Sequence, residues 1–287
     1  MTELTTFIHL TDLHIANPAK VEPHLYTDTS KTLSDVLARV RAIEPRPSFI
    51  VVSGDIANNA DPAAYAELQR VWGVEDIPAF FALGNHDSRT GFHEVMLGQP
   101  ERGMAPYSHD AVIAGIHLIV LDSSTPGAVH GTIEPEQFDW LQERLEAHPE
   151  LPKLLVSHHP PALGGEPDGL SFETIELADS LRLGEMIRGR NVIGILCGHI
   201  HQDRVSVWNG VPVIIGNGHH SRLDVLRHDV LRSTKGEGFA LCTLRPNGLT
   251  VNFIGLPTDG QELSVTTMAD LDAYMAKLKA AAEPATV

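Results

Sequence analysis

Five short polar clusters rich in His, Asp and Asn carry the residues of this chain that could perform chemistry. Each cluster directly follows an apolar run, and together they are Thr11-Asp12-Leu13-His14, Ser53-Gly54-Asp55-Ile56, Gly84-Asn85-His86-Asp87, Ser157-His158-His159-Pro160-Pro161 and Cys197-Gly198-His199-Ile200-His201. Imidazole nitrogens and carboxylate or amide oxygens are ligands of divalent first-row metals such as Fe, Mn, Zn and Co. The clusters therefore indicate a metal site built from nitrogen and oxygen donors.

The number of candidate ligands indicates two ions rather than one. The seven candidates are Asp12, His14, Asp55, Asn85, His158, His199 and His201. A single tetrahedral or octahedral ion would not take seven ligands from a protein. Two ions that share the Asp55 carboxylate would lie about 3.5–4 Å apart, a spacing that stabilises the attacking and leaving oxygens of a phosphoryl displacement.

Each cluster taken alone also has a structural explanation. A D-x-H triplet such as Asp12 with His14 arises often by chance, and an Asp after a Gly is usually a turn residue. The Gly84–Asp87 cluster could be an Asx turn that caps a helix. The Gly198–His201 cluster is more specific, because its two histidines end a strand together. All five clusters in series, each at a strand end, make the structural explanation untenable.

The apolar runs before the clusters predict strands, and helical patterns separate them in the first two thirds of the chain. The predicted strands are 7–10, 49–52, 79–83, 153–156 and 192–196. Loops at the carboxyl ends of strands in α/β sheets converge on one crevice, which would bring the clusters together. From Arg204 onward, Asn209-Gly210 and Asn247-Gly248 predict hairpins. The pattern predicts a layered α/β sandwich with mostly antiparallel β-structure in the C-terminal third.

Composition excludes several classes of protein. The chain has 287 residues with 43% hydrophobic and 20% charged residues, which is typical of a globular protein. Its 21 basic and 37 acidic residues give a net charge of −16, which disfavours a nucleic-acid polymer as partner. Cys197 and Cys242 are too few for a disulfide framework. No apolar run suits a membrane span, and no basic segment precedes the first strand, so we expect a cytoplasmic protein without a membrane partner.

The C-terminal segment predicts a helix over 266–282. We therefore expect a domain over 1–265 and a helical tail over 266–287. One narrow apolar seam of this helix comprises Met268, Leu271, Met275 and Leu278. The seam could pack on its own domain or form a contact in a homo-oligomer.

The series D-x-H, G-D, G-N-H-D, H and G-H-x-H, over about residues 7–216, resembles the calcineurin-like, binuclear metallophosphoesterase superfamily. The His-His-Pro-Pro run is most similar to class III cyclic-nucleotide phosphodiesterases and glycerophosphodiesterases. The resemblance implies a four-layer α/β/β/α sandwich. It implies that one metal is held by Asp12, His14, Asp55 and His201, and the other by Asp55, Asn85, His158 and His199. It also implies attack on phosphorus by a hydroxide that bridges the two ions.

The resemblance assigns His86 to contact the phosphate and to protonate the leaving oxygen. Asp87 would orient His86 or cap the following helix, and His159 would support the ligands or be structural. Asn58 could bind a phosphate oxygen or sugar hydroxyl, or form a helix N-cap or turn. His219 could line the rim of the site or belong to a plain hairpin loop. The Gly- and Pro-rich segment 164–171 is a candidate substrate loop.

The substrate expected from these residues is a small phosphodiester. Protein phosphatases of this superfamily place arginines beside the Gly-Asp and Gly-Asn-His clusters, and this chain has none there. We expect a phosphoric diester hydrolase acting on 3′,5′-cyclic nucleotides (cAMP or cGMP), with glycerophosphodiesters or 2′,3′-cyclic nucleotides as the alternative. A catalytically inactive scaffold is the alternative outside enzymes, but the seven ligands and His86 are all present.

Overall fold

Two mixed β-sheets stack face to face, and helices cover their outer faces. The computed structural model describes residues 4–73, 76–165, 173–227 and 229–282. The strands are β1 (Thr5–Leu10), β2 (Ile50–Ser53), β3 (Ala79–Ala82), β4 (His109–Ile113), β5 (Ile116–Val120), β6 (Lys153–Val156), β7 (Val192–Cys197), β8 (Arg204–Trp208), β9 (Val211–Ile215), β10 (Arg222–Leu223), β11 (Val230–Thr234), β12 (Gly238–Arg245), β13 (Gly248–Gly255) and β14 (Glu262–Thr267). The α-helices are α1 (Thr29–Arg41), α2 (Pro62–Trp72), α3 (Arg89–Val95), α4 (Pro135–Glu146), α5 (Leu177–Ile187) and α6 (Met268–Ala282).

The order of strands places the carboxyl ends of several parallel strands at one edge of the sandwich. The first sheet has the order β13-β12-β1-β2-β3, in which β1, β2 and β3 are parallel. The second has the order β4-β5-β6-β7-β9-β8, with β5, β6, β7 and β9 parallel. A third, small antiparallel sheet comprises β10, β11 and β14. This topology brings the loops after β1, β2, β3, β6 and β7 to the predicted site.

Three apolar clusters hold the layers together. The cluster between the two large sheets includes Phe7 and Phe49, whose rings stack with centroids 4.7 Å apart. A second cluster joins the first sheet to α1 and α2 through residues such as Leu33 and Leu68, and a third joins the second sheet to α4 and α5. The order of layers is α/β/β/α, so the predicted architecture is confirmed.

Both predicted hairpins are present, and the C-terminal helix begins two residues later than expected. The Asn209-Gly210 turn joins β8 to β9, and Asn247 lies in the turn from β12 to β13, which begins at Gly248. Thr266 and Thr267 belong to β14 because they pair with β11. Leu271 of the apolar seam is buried within the chain itself. The domain boundary at residue 265 and a homo-oligomer contact through α6 stay predictions.

Two further expectations from the sequence concern a substrate loop and the membrane. Most of the candidate substrate loop 164–171 lies outside the described residues. In the described ranges, no helix combines the length and the apolar character that crossing a membrane requires.

We expect replacement of Arg89 to destabilise the fold, because this buried arginine joins α3 to the second sheet. Arg89 lies 3.0 Å from an oxygen of buried Asp122 and 2.6 Å from an oxygen of Glu134. Removing one partner of a buried ion pair leaves an uncompensated charge, so Arg89→Met should lower the free energy of unfolding by about 3 kcal/mol or more in chemical denaturation.

Arg188→Met is the control for this experiment. Arg188 pairs with Glu185 at 2.9 Å, but both side chains are exposed. Exposed pairs contribute about 1 kcal/mol or less, so this variant should stay close to wild type. Equal stability of the two variants would contradict the structural role of Arg89.

Candidate metal centre

Five predicted ligands occupy the left-handed region of backbone conformation directly after their strands. Their φ angles are 49° at Asp12, 45° at His14, 48° at Asp55, 74° at His199 and 45° at His201. Such a conformation costs a residue other than glycine on the order of 1–3 kcal/mol and is maintained only where surrounding structure supports it. Its recurrence at the ends of three strands, β1, β2 and β7, indicates that the site constrains the backbone.

Backbone hydrogen bonds between the loops supply that support. The amide of Asp12 donates to the carbonyl of Gly54 over 3.0 Å, and the amide of His14 donates to the carbonyl of Asp55 over 2.9 Å. The amide of His199 donates to both carboxylate oxygens of Asp12, each over 3.1 Å. The loops after β1, β2 and β7 therefore hold one another in register.

Asn58 orients two histidines at once. Its side-chain Oδ1 lies 2.9 Å from Nδ1 of His14, and its backbone carbonyl accepts from Nδ1 of His86 over 2.6 Å. Its Nδ2 donates to Glu22. Both polar groups of the Asn58 side chain are therefore used within the protein. Asn58 therefore positions His14 and His86, and because it also lines the cavity over the centre, its contact with substrate stays a prediction.

His158 and His201 are oriented in the same way, through Nδ1. Nδ1 of His158 donates to the carbonyl of Ser53 over 2.9 Å, and Nδ1 of His201 lies 3.2 Å from the carbonyl of Ser221. Metal-ligating histidines usually use one ring nitrogen in this way, which fixes the tautomer and leaves the other nitrogen for the metal.

The Nε2 atoms of these histidines lie close to Asp55 or to one another. Its Oδ2 lies 3.7 Å from Nε2 of His14 and 3.2 Å from Nε2 of His158. Nε2 of His14 lies 3.2 Å from Nε2 of His201, and Nε2 of His201 lies 3.3 Å from Oδ1 of Asp12. Asp55 thus lies between two sets of donors, the position predicted for a carboxylate that bridges two ions.

An orphaned polar atom shows that these residues fit divalent ions. Among the described residues, buried Oδ1 of Asn85 has no hydrogen-bond partner. A buried polar atom without a partner is costly, and a cation in this donor set would satisfy it. Nε2 of His158, which is assigned to the same ion, faces the Asp55 carboxylate at 3.2 Å. His199, assigned there too, has its ring centroid 5.1 Å from that of His158.

The charges of the buried residues also fit a cation. Burial raises the pKa of the Asp55 carboxyl, but the neighbouring His158 and His86 lower it well below its usual value. For His158, burial lowers the imidazole pKa, but Asp55 and Asp12 raise it to about 9. The carboxylates therefore keep their charge and require a positive partner. In the metal-free protein this partner is an imidazolium, and in the metal-bound protein it would be a divalent ion.

His159 lies beside the centre but is not aimed at it. Its Nδ1 lies 2.9 Å from the Ser123 hydroxyl, and its Nε2 lies 2.9 Å from the carbonyl of Val129. Both ring nitrogens are used in these bonds. The structure therefore favours the structural role for His159 and leaves His158 as the histidine of this pair that faces Asp55.

Asp87 supports the loops and does not orient His86. It accepts hydrogen bonds from the amides of Ala57 and Gly84, each over 2.9 Å, whereas the ring of His86 is held by a backbone carbonyl. Nor does Asp87 cap the next helix, because Ser88 is the N-cap of α3. Neither role predicted for Asp87 matches this arrangement, in which the bond from the amide of Ala57 joins residues 30 positions apart in sequence.

His219 differs from its predicted position at the rim. Its side chain is fully buried, and its amide donates to the carbonyl of Asp12 over 3.0 Å. The chain turns at Gly218 with φ 82°, which places His219 beneath the centre and His220 in the cavity. The adjacent His219 and His220 mark this loop in the sequence, but their order does not indicate which of the two faces the site.

A cavity of about 650 Å³ lies over the centre and has two chemically different sides. One side is formed by histidines of the centre. The small sheet and α6 form the other side, where Leu223, Leu231, Leu271 and Tyr274 make an apolar wall beside Ser233 and Thr266. The Leu223 amide donates to the carbonyl of His201 over 3.0 Å, which ties the small sheet to the metal centre.

An α/β/β/α sandwich with a histidine- and aspartate-rich centre at its strand ends defines a class of metal-dependent phosphoesterases. The family model for calcineurin-like phosphoesterases matches residues 5–203. This chain therefore belongs to the calcineurin-like phosphoesterase family, and the family predicted from its motifs is confirmed.

Individual relatives agree with this assignment. The chain is 33% identical over 216 residues to a probable cyclic nucleotide phosphodiesterase of Rhodococcus erythropolis, covering 73% of this chain and 69% of that protein. It is 26% identical over 212 residues to a probable glycerophosphodiester phosphodiesterase GpdQ of Arcobacter nitrofigilis, covering 72% and 76%. Purple acid phosphatase PPD1 from yellow lupin seeds has a similar fold, with a TM-score of 0.61, 13% identity and coverage of 100% and 57%.

Gly198→Ala should disturb the centre without directly removing a ligand. A Cβ atom at this position would overlap Oγ1 of Thr11 and Oδ2 of Asp12. The loop would have to shift, and disturbing the support of metal ligands lowers metal affinity about 10–100-fold. We expect this loss for Mn²⁺ in isothermal titration calorimetry.

The matched control is Gly255→Ala, because a Cβ atom there meets no described atom within 4 Å. This variant should bind Mn²⁺ like wild type. Wild-type affinity in Gly198→Ala would show that close approach of the loops is not required.

Proposed function

We propose that this protein is a binuclear metal-dependent phosphodiesterase whose preferred substrates are 3′,5′-cyclic nucleotides. The main support is the convergence of the predicted ligands around Asp55, with an apolar wall in the same cavity. The similarity to a probable cyclic nucleotide phosphodiesterase supports the same substrate class. The donor set, which lacks thiolate, supports Fe, Mn, Zn or Co as the ions. A cytoplasmic location belongs to the same proposal.

The metal centre and His86 have complementary roles in this proposal. Two divalent ions would neutralise phosphate charge and supply a hydroxide nucleophile near neutral pH. The bond from Nδ1 of His86 to the carbonyl of Asn58 leaves Nε2 for the substrate. The amide of His86 donates to Oδ1 of Asp55 over 2.9 Å, which fixes the residue beside the centre. In its imidazolium form His86 carries a second proton on Nε2, and this proton can pass to the leaving oxygen, so that His86 acts as a general acid and is left neutral.

The apolar wall favours a cyclic nucleotide over a glycerol diester. A nucleobase is a flat ring system that can stack on Tyr274 and cover neighbouring leucine side chains. A glycerophosphodiester has no such group and would leave the wall in contact with water. The wall lines the same cavity as the predicted metal ligands. This position suits an enzyme that binds a substrate over its metal centre better than an inactive scaffold.

The test compares substrates on Mn²⁺-loaded protein. We expect hydrolysis of 3′,5′-cyclic AMP to be faster than that of glycerophosphoethanolamine, with bis-p-nitrophenyl phosphate as positive control. His86→Ala should lower turnover of cyclic AMP at least about 100-fold, the usual contribution of a general acid. His148→Asn, an exposed histidine, should keep wild-type turnover.

Two results would count against the proposal. Faster hydrolysis of glycerophosphoethanolamine would transfer the assignment to the glycerophosphodiesterase alternative. Unchanged turnover in His86→Ala would show that His86 is not the general acid. Absence of turnover of every diester tested would favour the inactive scaffold.

Tyr274→Ala should weaken cyclic nucleotide binding selectively. Tyr274 is 57% exposed, so its removal should not unfold the protein. Stacking of an aromatic side chain on a base contributes on the order of 1–3 kcal/mol, so KM for cyclic AMP should rise about tenfold. The rate at which dimethyl phosphate, which has no aromatic ring, is hydrolysed should be the same in Tyr274→Ala as in wild type in the same kinetic assay.

Asp272→Ala is the control on the same helix, because Asp272 is exposed and does not line the cavity. It should keep the wild-type KM for cyclic AMP. An unchanged KM in Tyr274→Ala would show that the wall does not contact the base.

A further inference from the structure

His220 lies against two of the predicted metal ligands. Its ring centroid is 5.1 Å from that of His14 and 5.8 Å from that of His201. One potential ligand atom from each of the three imidazoles lies within 4.8 Å of the other two. This grouping resembles that of the other ligands, yet neither the motif series nor the family resemblance includes His220.

The orientation of His220 is that of a ligating histidine. Its Nε2 donates to the backbone carbonyl of His24 over 3.0 Å. This bond fixes the neutral tautomer with the proton on Nε2 and leaves Nδ1 with a lone pair. His14 and His201 are arranged in the same manner with the two nitrogens exchanged, since their Nδ1 atoms are held by protein acceptors. An anchored second nitrogen is usual for histidines that bind metals.

Neighbouring residues hold the ring in this position. Tyr26 stacks on the His220 ring with centroids 6.0 Å apart and planes inclined by 10°. The Thr27 hydroxyl donates to the carbonyl of His220 over 3.1 Å. The segment before α1 therefore fixes both the backbone and the ring of His220. A side chain held on this many sides is suited to ligation, which requires a defined position.

We propose that His220 is an additional ligand of the metal ion assigned to Asp12, His14, Asp55 and His201. This inference rests on the metal centre of the proposed function. The addition would give this ion three imidazole ligands, whereas the other ion has two imidazoles and the Asn85 amide. Imidazole-rich sites favour Zn and Fe over Mn, so the two ions would differ in affinity and metal preference.

The test is Co²⁺ titration of the full chain, followed by calorimetry and by visible absorption. His220→Phe preserves a ring for stacking on Tyr26 and removes both nitrogens, so it separates ligation from packing. Loss of a supporting partner already lowers metal affinity about 10–100-fold, so loss of a direct ligand should weaken one of the two Co²⁺ sites at least about tenfold. The absorption of that site should change, and the second site should bind as in wild type.

His148→Asn is the control. It removes an imidazole at an exposed position outside the cavity, and this side chain belongs to none of the ligand groups among the described residues. It should leave both Co²⁺ affinities and the spectrum unchanged. His220→Ala should reproduce the effect of His220→Phe, and thermal melting of the metal-free proteins shows whether either variant is unfolded.

The outcomes separate this inference from the proposed function. Two Co²⁺ sites in wild type, with unchanged affinities and spectrum in folded His220→Phe, would overturn ligation by His220 and leave the metal centre intact. Absence of Co²⁺ binding in wild type would overturn both. Weakening of one site in both His220 variants, but not in His148→Asn, would support the inference.

Discussion

The burial of two carboxylates at the edge of the sandwich is the constraint on which the site depends. Asp12 and Asp55 are almost completely removed from water, and the described lining of the adjoining cavity contains no Lys or Arg. A buried charge is tolerated only when it is paired and hydrogen-bonded. The chain meets this requirement with imidazoles and backbone amides, a surrounding that accepts either protons or divalent ions as counter-charge. Metal binding should therefore compete with protonation of His158.

The same constraint explains the unusual backbone. The left-handed residues after β1, β2 and β7 are stabilised by hydrogen bonds that run from one loop to the next. None of these loops could hold its conformation alone, because each forms hydrogen bonds with a neighbouring loop. The apolar packing between the large sheets keeps the strand ends at a fixed separation and so maintains these bonds. Packing remote from the site thereby determines where the donors point.

Much of this structure could be predicted from the sequence, because strands and the clusters after them are short-range features. The topology then brought Asp12, Asp55 and His158 together without further information. The roles of Asn58 and Asp87 could not be predicted, because they depend on hydrogen bonds to His14, His86 and Ala57 that join residues 28 to 44 positions apart in sequence. The choice between His219 and His220 depended on the turn at Gly218, where a shift of one residue moves a side chain from the interior to the cavity.

The hydrogen bond between Leu223 and His201 connects two parts of the chain with different tasks. The predicted metal ligands follow strands of the two large sheets, whereas the apolar wall comes from the small sheet and α6. Changes of sequence in β10, β11, β14 and α6 could alter the shape of the wall while the large sheets keep the ligands in place. Such a division would allow a lineage to acquire new diester substrates without rebuilding its hydrolytic machinery.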